Sequence, residues 1–118
     1  MDRRAQTGRW GERAAARYLV RRGWTVVARR WRGGGGEIDL IVCRRGTLAV
    51  CEVKVRPDDT LVHSPVGADQ QARIIRAAEA FLVRHPHLRG HAVRLDLLTV
   101  SRRGPWARVH HHVGALEW

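Results

Sequence analysis

The order of periodic segments along the chain predicts a layered α/β or α+β fold, a mixed sheet covered by helices. Three observations carry that prediction. A helical period lies near the N-terminus, three strand-like segments follow it without interruption, and a second helical period precedes two further strands. At 118 residues the chain has room for one modest core and is read as one domain, 1–118.

Each element has its own signal. From about Arg9 to Arg22, Arg13, Arg17 and Arg21 share one helical face, while Ala15, Ala16 and Leu19 lie opposite with Glu12 among them. Gly23 is placed to end that helix. Trp24 to Trp31, with Val26 and Val27, reads as a strand that runs into the glycines Gly33 to Gly36. Glu37 to Cys43 alternates, with Ile38, Leu40 and Val42 on one side and Glu37, Asp39 and Ile41 on the other. After a turn at Arg44-Arg45-Gly46, Leu48 to Val55 places Leu48, Val50, Glu52 and Lys54 on one face and Ala49, Cys51 and Val53 on the other. Pro57 to Pro65 is an irregular polar loop. Gly67 to Arg84 returns to a helical period, with Gln71, Ile74, Ile75, Ala78, Phe81 and Leu82 on one stripe, and His85-Pro86 stops it. Ala92 to Val100 and Ala107 to Val113 are the last two strands, so the order is α-β-β-β-α-β-β.

Charge narrows the partner. The 22 basic and 11 acidic residues give a net charge of +11, which favours a polyanion. A membrane surface would call for a basic amphipathic helix backed by bulky apolar side chains, and none stands out. No apolar run is long enough to span a bilayer, and no apolar stretch follows Met1 to Gln6 to suggest secretion, so a cytoplasmic location is expected. Cys43 and Cys51 lack metal-type spacing and read as buried free thiols. Every basic residue is arginine except Lys54. In a chain that otherwise uses arginine for positive charge, the retained lysine points to a task for a compact ammonium.

The hairpin carries the chemistry. A turn of two residues (Arg45-Gly46) or four (Arg44 to Thr47) sets Asp39 opposite Glu52, both projecting from one face. Facing carboxylates repel, so the arrangement needs compensation. A divalent cation supplies it, and Mg²⁺ at phosphates takes one or two carboxylates plus waters. Lys54, two residues on, shares the face and is placed to orient or activate a water, and the Val53 carbonyl lies between as a further ligand. The competing reading is a solvated, salt-bridged hairpin face, which a three-residue loop would favour by shifting the register. Glu12, a carboxylate among apolar helix residues, is a further metal or water contact, or else a first-turn residue stabilised by the helix dipole.

Gly11-Glu12, Gly36-Glu37-Ile38-Asp39-Leu40-Ile41 and Glu52-Val53-Lys54-Val55-Arg56 together resemble the YraN-like family of the PD-(D/E)xK nuclease superfamily, which is related to archaeal Holliday-junction resolvases. The resemblance covers nearly the whole chain, including Arg94-Leu95-Asp96 and the closing Ala115-Leu116. It implies an α/β, restriction-endonuclease-like core with a mixed five-stranded sheet flanked by helices. It further implies a Mg²⁺- or Mn²⁺-dependent endonuclease acting on DNA, with branched, repair or recombination intermediates as substrates. In that reading Asp39, Glu52 and Glu12 hold the metal and Lys54 serves the water, while Glu37 flanks the site. Two departures stand out. The Lys-Gln pair that commonly opens the family's second helix is Gln70-Gln71 here, so Gln70 or Gln71 takes over contact with phosphate or water without the charge. The family's Asn ahead of the glycine turn is Arg30. A non-catalytic nucleic-acid-binding module that keeps the fold is the alternative that the uncharged Gln70 favours. Dimeric resolvases make a homodimer one expected arrangement.

Arg29, Arg30, Arg32, Arg44, Arg45 and Arg56 surround the hairpin as phosphate contacts, with Trp31 available either to stack on a base or to join the core. The absence of a base-reading module predicts structure-selective binding. His63 falls in the polar loop within reach of substrate. Of His110-His111-His112 only the first and third share a strand face, which argues against a zinc site. The four glycines lack the Gly-Lys-Ser/Thr continuation of a P-loop and read as a flexible turn near bound nucleic acid.

Overall fold

The computed structural model describes residues 3–57 and 66–116; His63 and the rest of the polar loop from 58 to 65 lie outside the described residues. The chain forms α1 (Arg3–Arg21), β1 (Thr25–Gly33), β2 (Gly36–Arg44), β3 (Thr47–Val55), α2 (Ala68–Arg84), β4 (Ala92–Arg103) and β5 (Trp106–Leu116). The five strands stand side by side in chain order. β3 and β4 pair in parallel, while the other three neighbouring pairs are antiparallel. This is the α/β, mixed five-stranded arrangement in the order that the sequence predicts. Parallel pairing requires a crossover connection, and α2 provides it.

The helices cover opposite faces of the sheet. Ala14, Ala15, Ala16 and Leu19 of α1 bury against Leu40, Val42, Ala49, Cys51, Leu98 and Val100. Ile74, Ala77, Ala78 and Phe81 of α2 bury against Ile38, Ile41, Leu48, Val50, Leu95 and Leu97. α1 ends as its glycine predicts: Gly23 takes φ +89°, with its N–H donating to Val20 O at 3.1 Å and the Trp24 N–H donating to Leu19 O at 3.1 Å. That is a Schellman closure, which only glycine adopts without strain. α1 starts at Arg3 rather than Arg9. Glu12 therefore sits inside the helix, and the first-turn dipole explanation for it falls away.

The expected faces need one correction. On β2, Ile38 packs with Ile41 on the α2 side, whereas Leu40 and Val42 pack on the α1 side. The simple alternation thus breaks at Asp39, just where regular β2–β3 pairing stops at Leu40 opposite Cys51. Trp31 is a core residue, its ring set edge-on to Phe81 at 5.3 Å, so stacking on a base is not its role. The glycine turn is also less free than expected. A Cβ at Gly34 or Gly36 would land on the backbone carbonyl of Arg76 or Arg73, so the β1–β2 turn lies directly against α2. Cys51 is a buried free thiol and Cys43 is partly buried.

A buried ionic group ties the far strands together. Between Leu95 and Leu97 the β4–β5 register shifts, and Asp96 fills the irregularity. Its carboxylate, fully buried, accepts from Arg94 Nε at 2.9 Å and Nη2 at 3.0 Å and from the Gly114 N–H at 2.9 Å, and lies 2.6 Å from His111 Nε2. Burial works against the charge, but the hydrogen bonds from His111, Arg94 and Gly114 and the Arg94 charge override it and hold the Asp96 carboxyl below its ordinary range. Among the described residues, no helix is long and apolar enough to cross a membrane.

Candidate functional site

The β2–β3 hairpin turns on two residues, Arg45 at φ 48° and Gly46 at φ 79°. Positive φ at both positions gives the turn the twist that matches antiparallel strands. The register that results sets Arg44 against Thr47 and Leu40 against Cys51. One step further, Asp39 and Glu52 meet. β2 no longer pairs regularly there, and the Val53 N–H donates to Asp39 Oδ2 at 2.8 Å in place of a backbone acceptor. The side chain that replaces the ladder bond is thereby fixed toward β3.

Around Glu52 the contacts close into a ring. Gln70 Nε2 donates to Glu52 Oε1 at 2.9 Å, Lys54 Nζ donates to Gln70 Oε1 at 3.2 Å, and Lys54 Nζ stands 3.3 Å from Glu52 Oε1. Glu52 is buried and Lys54 about three-quarters buried. Burial first, then the neighbouring Asp39 charge, push the Glu52 carboxyl up to about 7, against the pull of Lys54. Burial likewise raises Asp39, offset in part by the hydrogen bonds from Val53 and Glu52. The pair is therefore one in which both carboxyls resist ionisation.

Glu12 reaches the same region from the other side of the sheet. A Cβ at Gly11 would run into the Val55 side chain, so glycine there lets α1 lie close on β3. Glu12 is held at 3.0 Å by Arg30 Nε. Burial and the Asp39 charge raise its carboxyl, opposed by Arg30. Arg30 itself takes φ 51°, a left-handed conformation that Asn tolerates better than Arg. The departure from the family's Asn thus falls on a position whose backbone still suits Asn. Glu12, Asp39, Arg9, Arg13, Arg29 and Arg30 line a cavity of about 170 Å³.

The expected residues divide by place. Asp39, Glu52, Lys54 and Gln70 are in direct contact or joined through one hydrogen-bonded neighbour, and Glu12 and Arg30 sit beside Asp39. Arg56 continues β3 past Lys54, its N–H donating to Val100 O at 2.9 Å. Gln71 is the half-buried neighbour of Gln70 on α2. Arg32 is exposed, 3.6 Å from the likewise exposed Glu37 at the mouth of the glycine turn. Arg44 and Arg45 lie at the opposite end of the hairpin, about 17 Å or more from Asp39 at the usual strand rise. Arg44 is engaged there, donating to Arg22 O at 2.8 Å and covering the Trp24 ring at 4.5 Å. His110 and His112 share a face, as strand geometry predicts, with rings 6.3 Å apart. Arg9 and Arg13 were missed as site residues; their spacing around Glu12 on one helix was the available signal.

The donor set fits a hard divalent cation. Among the described residues no group of three or more His, Cys, Asp or Glu side chains is placed to hold a metal ion. Two neighbouring carboxylates are nonetheless what Mg²⁺ uses when waters and phosphate oxygens complete its shell. Residues 11–100 match the Uncharacterised protein family UPF0102, a span that includes Glu12, Asp39, Glu52, Lys54 and Gln70. The chain belongs to the UPF0102 family. This agrees with the YraN-like resemblance of its motifs. A UPF0102 protein of Synechococcus sp. (strain JA-3-3Ab) is 40% identical over 100 residues, covering 82% of this chain and 75% of the relative. One from Gloeobacter violaceus is 42% identical over 105 residues, 86% and 83% of the two chains. One from Nitrobacter winogradskyi is 40% identical over 107 residues, 90% and 87%. In UPF0102 terms, the family span opens at Gly11, the close contact between α1 and β3, and closes at Val100, whose carbonyl anchors Arg56.

Proposed function

We propose that this protein is a metal-dependent, endonuclease-like enzyme that hydrolyses phosphodiester bonds in DNA, with branched or repair and recombination intermediates as its substrate class. The observation that carries the reading is the meeting of Asp39 and Glu52, two carboxyls raised by burial, Glu52 further by the Asp39 charge, with the only lysine of the chain against Glu52. Asp39 and Glu52 would hold Mg²⁺ or Mn²⁺, with Glu12 as the third carboxylate once Arg30 is drawn to phosphate. The cation, when bound, lowers the pKa of a water and screens charge on the phosphate. Lys54 would orient a water beside the carboxylates, and Gln70 holds the Lys54 ammonium in line through its amide oxygen. Arg29, Arg30, Arg32 and Arg56 neutralise the flanking phosphates. A restriction-endonuclease-like core, a cytoplasmic location and a homodimer that brings two sites to two strands belong to the same reading.

The test is cleavage of branched, single-stranded and duplex DNA, and of RNA of the same sequences, with Mg²⁺ or Mn²⁺. We expect metal-dependent cleavage of DNA that Glu52→Ala and Asp39→Asn each reduce by more than about a hundredfold. No cleavage of any substrate, or an unaltered rate in Glu52→Ala, defeats the proposal. The uncharged Gln70, bonded to both Lys54 and Glu52, favours a second reading as a non-catalytic nucleic-acid-binding module. Salt-sensitive binding that is indifferent to metal, with calorimetry showing no Mn²⁺ uptake, would decide for it.

A further inference from the structure

A second surface lies away from the paired carboxylates. A groove of about 390 Å³ runs between α1 and the β4–β5 hairpin, lined by Trp10, Arg17, Tyr18, Arg21, Arg22 and Trp106 among others. No acidic side chain lines it. Two of its aromatic rings already carry a guanidinium: Arg102 lies over Trp10 at 4.1 Å and Arg22 over Tyr18 at 3.6 Å. A stacked guanidinium keeps its N–H edges free to meet phosphate oxygens. Trp106, at the hairpin turn, is 74% exposed, although tryptophan is among the residues most often covered in a folded chain. Arg17 and Arg21, one helical turn apart, face solvent along the same side.

From these features we infer that the groove between α1 and the β4–β5 hairpin binds an unpaired nucleic-acid strand, its bases stacking on Trp106 and its phosphates running along Arg17 and Arg21. Charge decides for a polyanion, since every charged residue that lines the groove is an arginine, in a chain of net charge +11. The exposed indole decides for a single strand, because the faces of paired bases are closed within a duplex. A cleft between a helix and a hairpin also receives a single backbone more readily than a duplex. The inference shares with the hydrolase reading only the class of partner; it requires neither metal nor turnover. If that reading also holds, the groove engages an unpaired arm beside the point of cleavage.

The experiment measures anisotropy of a fluorescein-labelled oligo(dT) strand with the full chain in EDTA, over a range of salt. Wild type is expected to bind. The Arg17→Ala/Arg21→Ala double variant should lose about tenfold or more in affinity, with a salt slope shallower by about 1.4. Trp106→Ala should lose roughly tenfold through stacking, with Trp106→Phe recovering part of it. Arg76→Ala/Arg89→Ala, which removes equal charge elsewhere, should bind as wild type does. Circular dichroism and melting of each variant confirm that the fold is kept. The inference is overturned if wild type does not bind, if the groove variants bind like wild type, or if the distant double variant loses as much affinity as the groove variant. Binding without cleavage would defeat the hydrolase reading alone, and cleavage with unaltered groove variants would defeat the groove alone.

Discussion

Gln70 Nε2 donates to Glu52 Oε1 at 2.9 Å, and the same amide accepts from Lys54 through its oxygen. One uncharged side chain thus bridges the carboxyl and the ammonium of the proposed site. Replacing it by the lysine that the family resemblance implies at this position puts a second ammonium beside Glu52. Gln70→Lys is expected to lower the Glu52 pKa and move the acid limb of the cleavage pH profile down by about one unit, a rate gain of about tenfold at pH below that limb. Gln70→Ala removes the acceptor for Lys54 and should lower kcat about tenfold at all pH values. An acid limb that stays in place in Gln70→Lys would separate Glu52 from the titration.

Stability should respond to pH with opposite signs from two acids. Glu52 is raised from 4.5 to about 7, so the folded chain binds its proton more tightly than the unfolded chain does. Its favourable contribution is complete below about 4.5 and is lost as pH rises to about 7, on the order of 3 kcal/mol across that window. Asp96 is lowered from 3.8, so its contribution is complete above that value and is lost as pH falls through the lower folded value. Urea denaturation at intervals from pH 3 to 8 should therefore show a maximum near pH 4 to 5. Glu52→Gln should flatten the alkaline side and leave the acid side unchanged.

Asp96 should be structurally indispensable without touching the chemistry. Truncation to alanine leaves the Arg94 guanidinium and the Gly114 N–H without the carboxylate they share. A loss of about 3 to 5 kcal/mol is expected, as for other broken buried pairs. Asp96→Asn, which keeps the shape but not the charge, should fall between. Equilibrium unfolding measures both, and a loss under about 1 kcal/mol would contradict the account of the β4–β5 irregularity.

Arg30 offers a case where strain and attraction compete. Its left-handed backbone costs roughly 1–2 kcal/mol for an ordinary side chain. Its pairing with Glu12 is partly exposed on the arginine side, and such a pair is worth at most about 1 kcal/mol. Arg30→Asn should then melt slightly higher than wild type despite the lost ion pair. A lower melting temperature would show that the pair outweighs the strain.

Much of this was readable in the chain. The turn at Arg45-Gly46 set the hairpin register, and the register placed Asp39 against Glu52. Lys54 and Gln70 followed from strand parity and from the resemblance. The misses have physical causes. Strand parity assumes a ladder that continues, but β2 leaves β3 at Asp39, and Ile38 consequently changes faces. Linear proximity put Arg44 and Arg45 near the site, although an antiparallel hairpin carries its turn away from its open end. Trp31 was left between two readings because nothing local reveals that Phe81, fifty residues later, closes over it. Asp96 entered only through the resemblance, since its partners on β5 lie beyond the turn.

The parallel pairing of β3 with β4 has a bearing on when this protein could become active. Asp39, Glu52 and Lys54 belong to one local hairpin, which can form early, but Gln70 arrives on the helix that links β3 to its non-local partner. Such pairings are assembled late, because the intervening chain must first be ordered. A partly folded chain could therefore display both acids and the lysine without the amide that aligns them. Under the proposed function, competence to cut would arrive with the last layer of the fold, so that a nascent or misfolded copy would pose little hazard to nucleic acid.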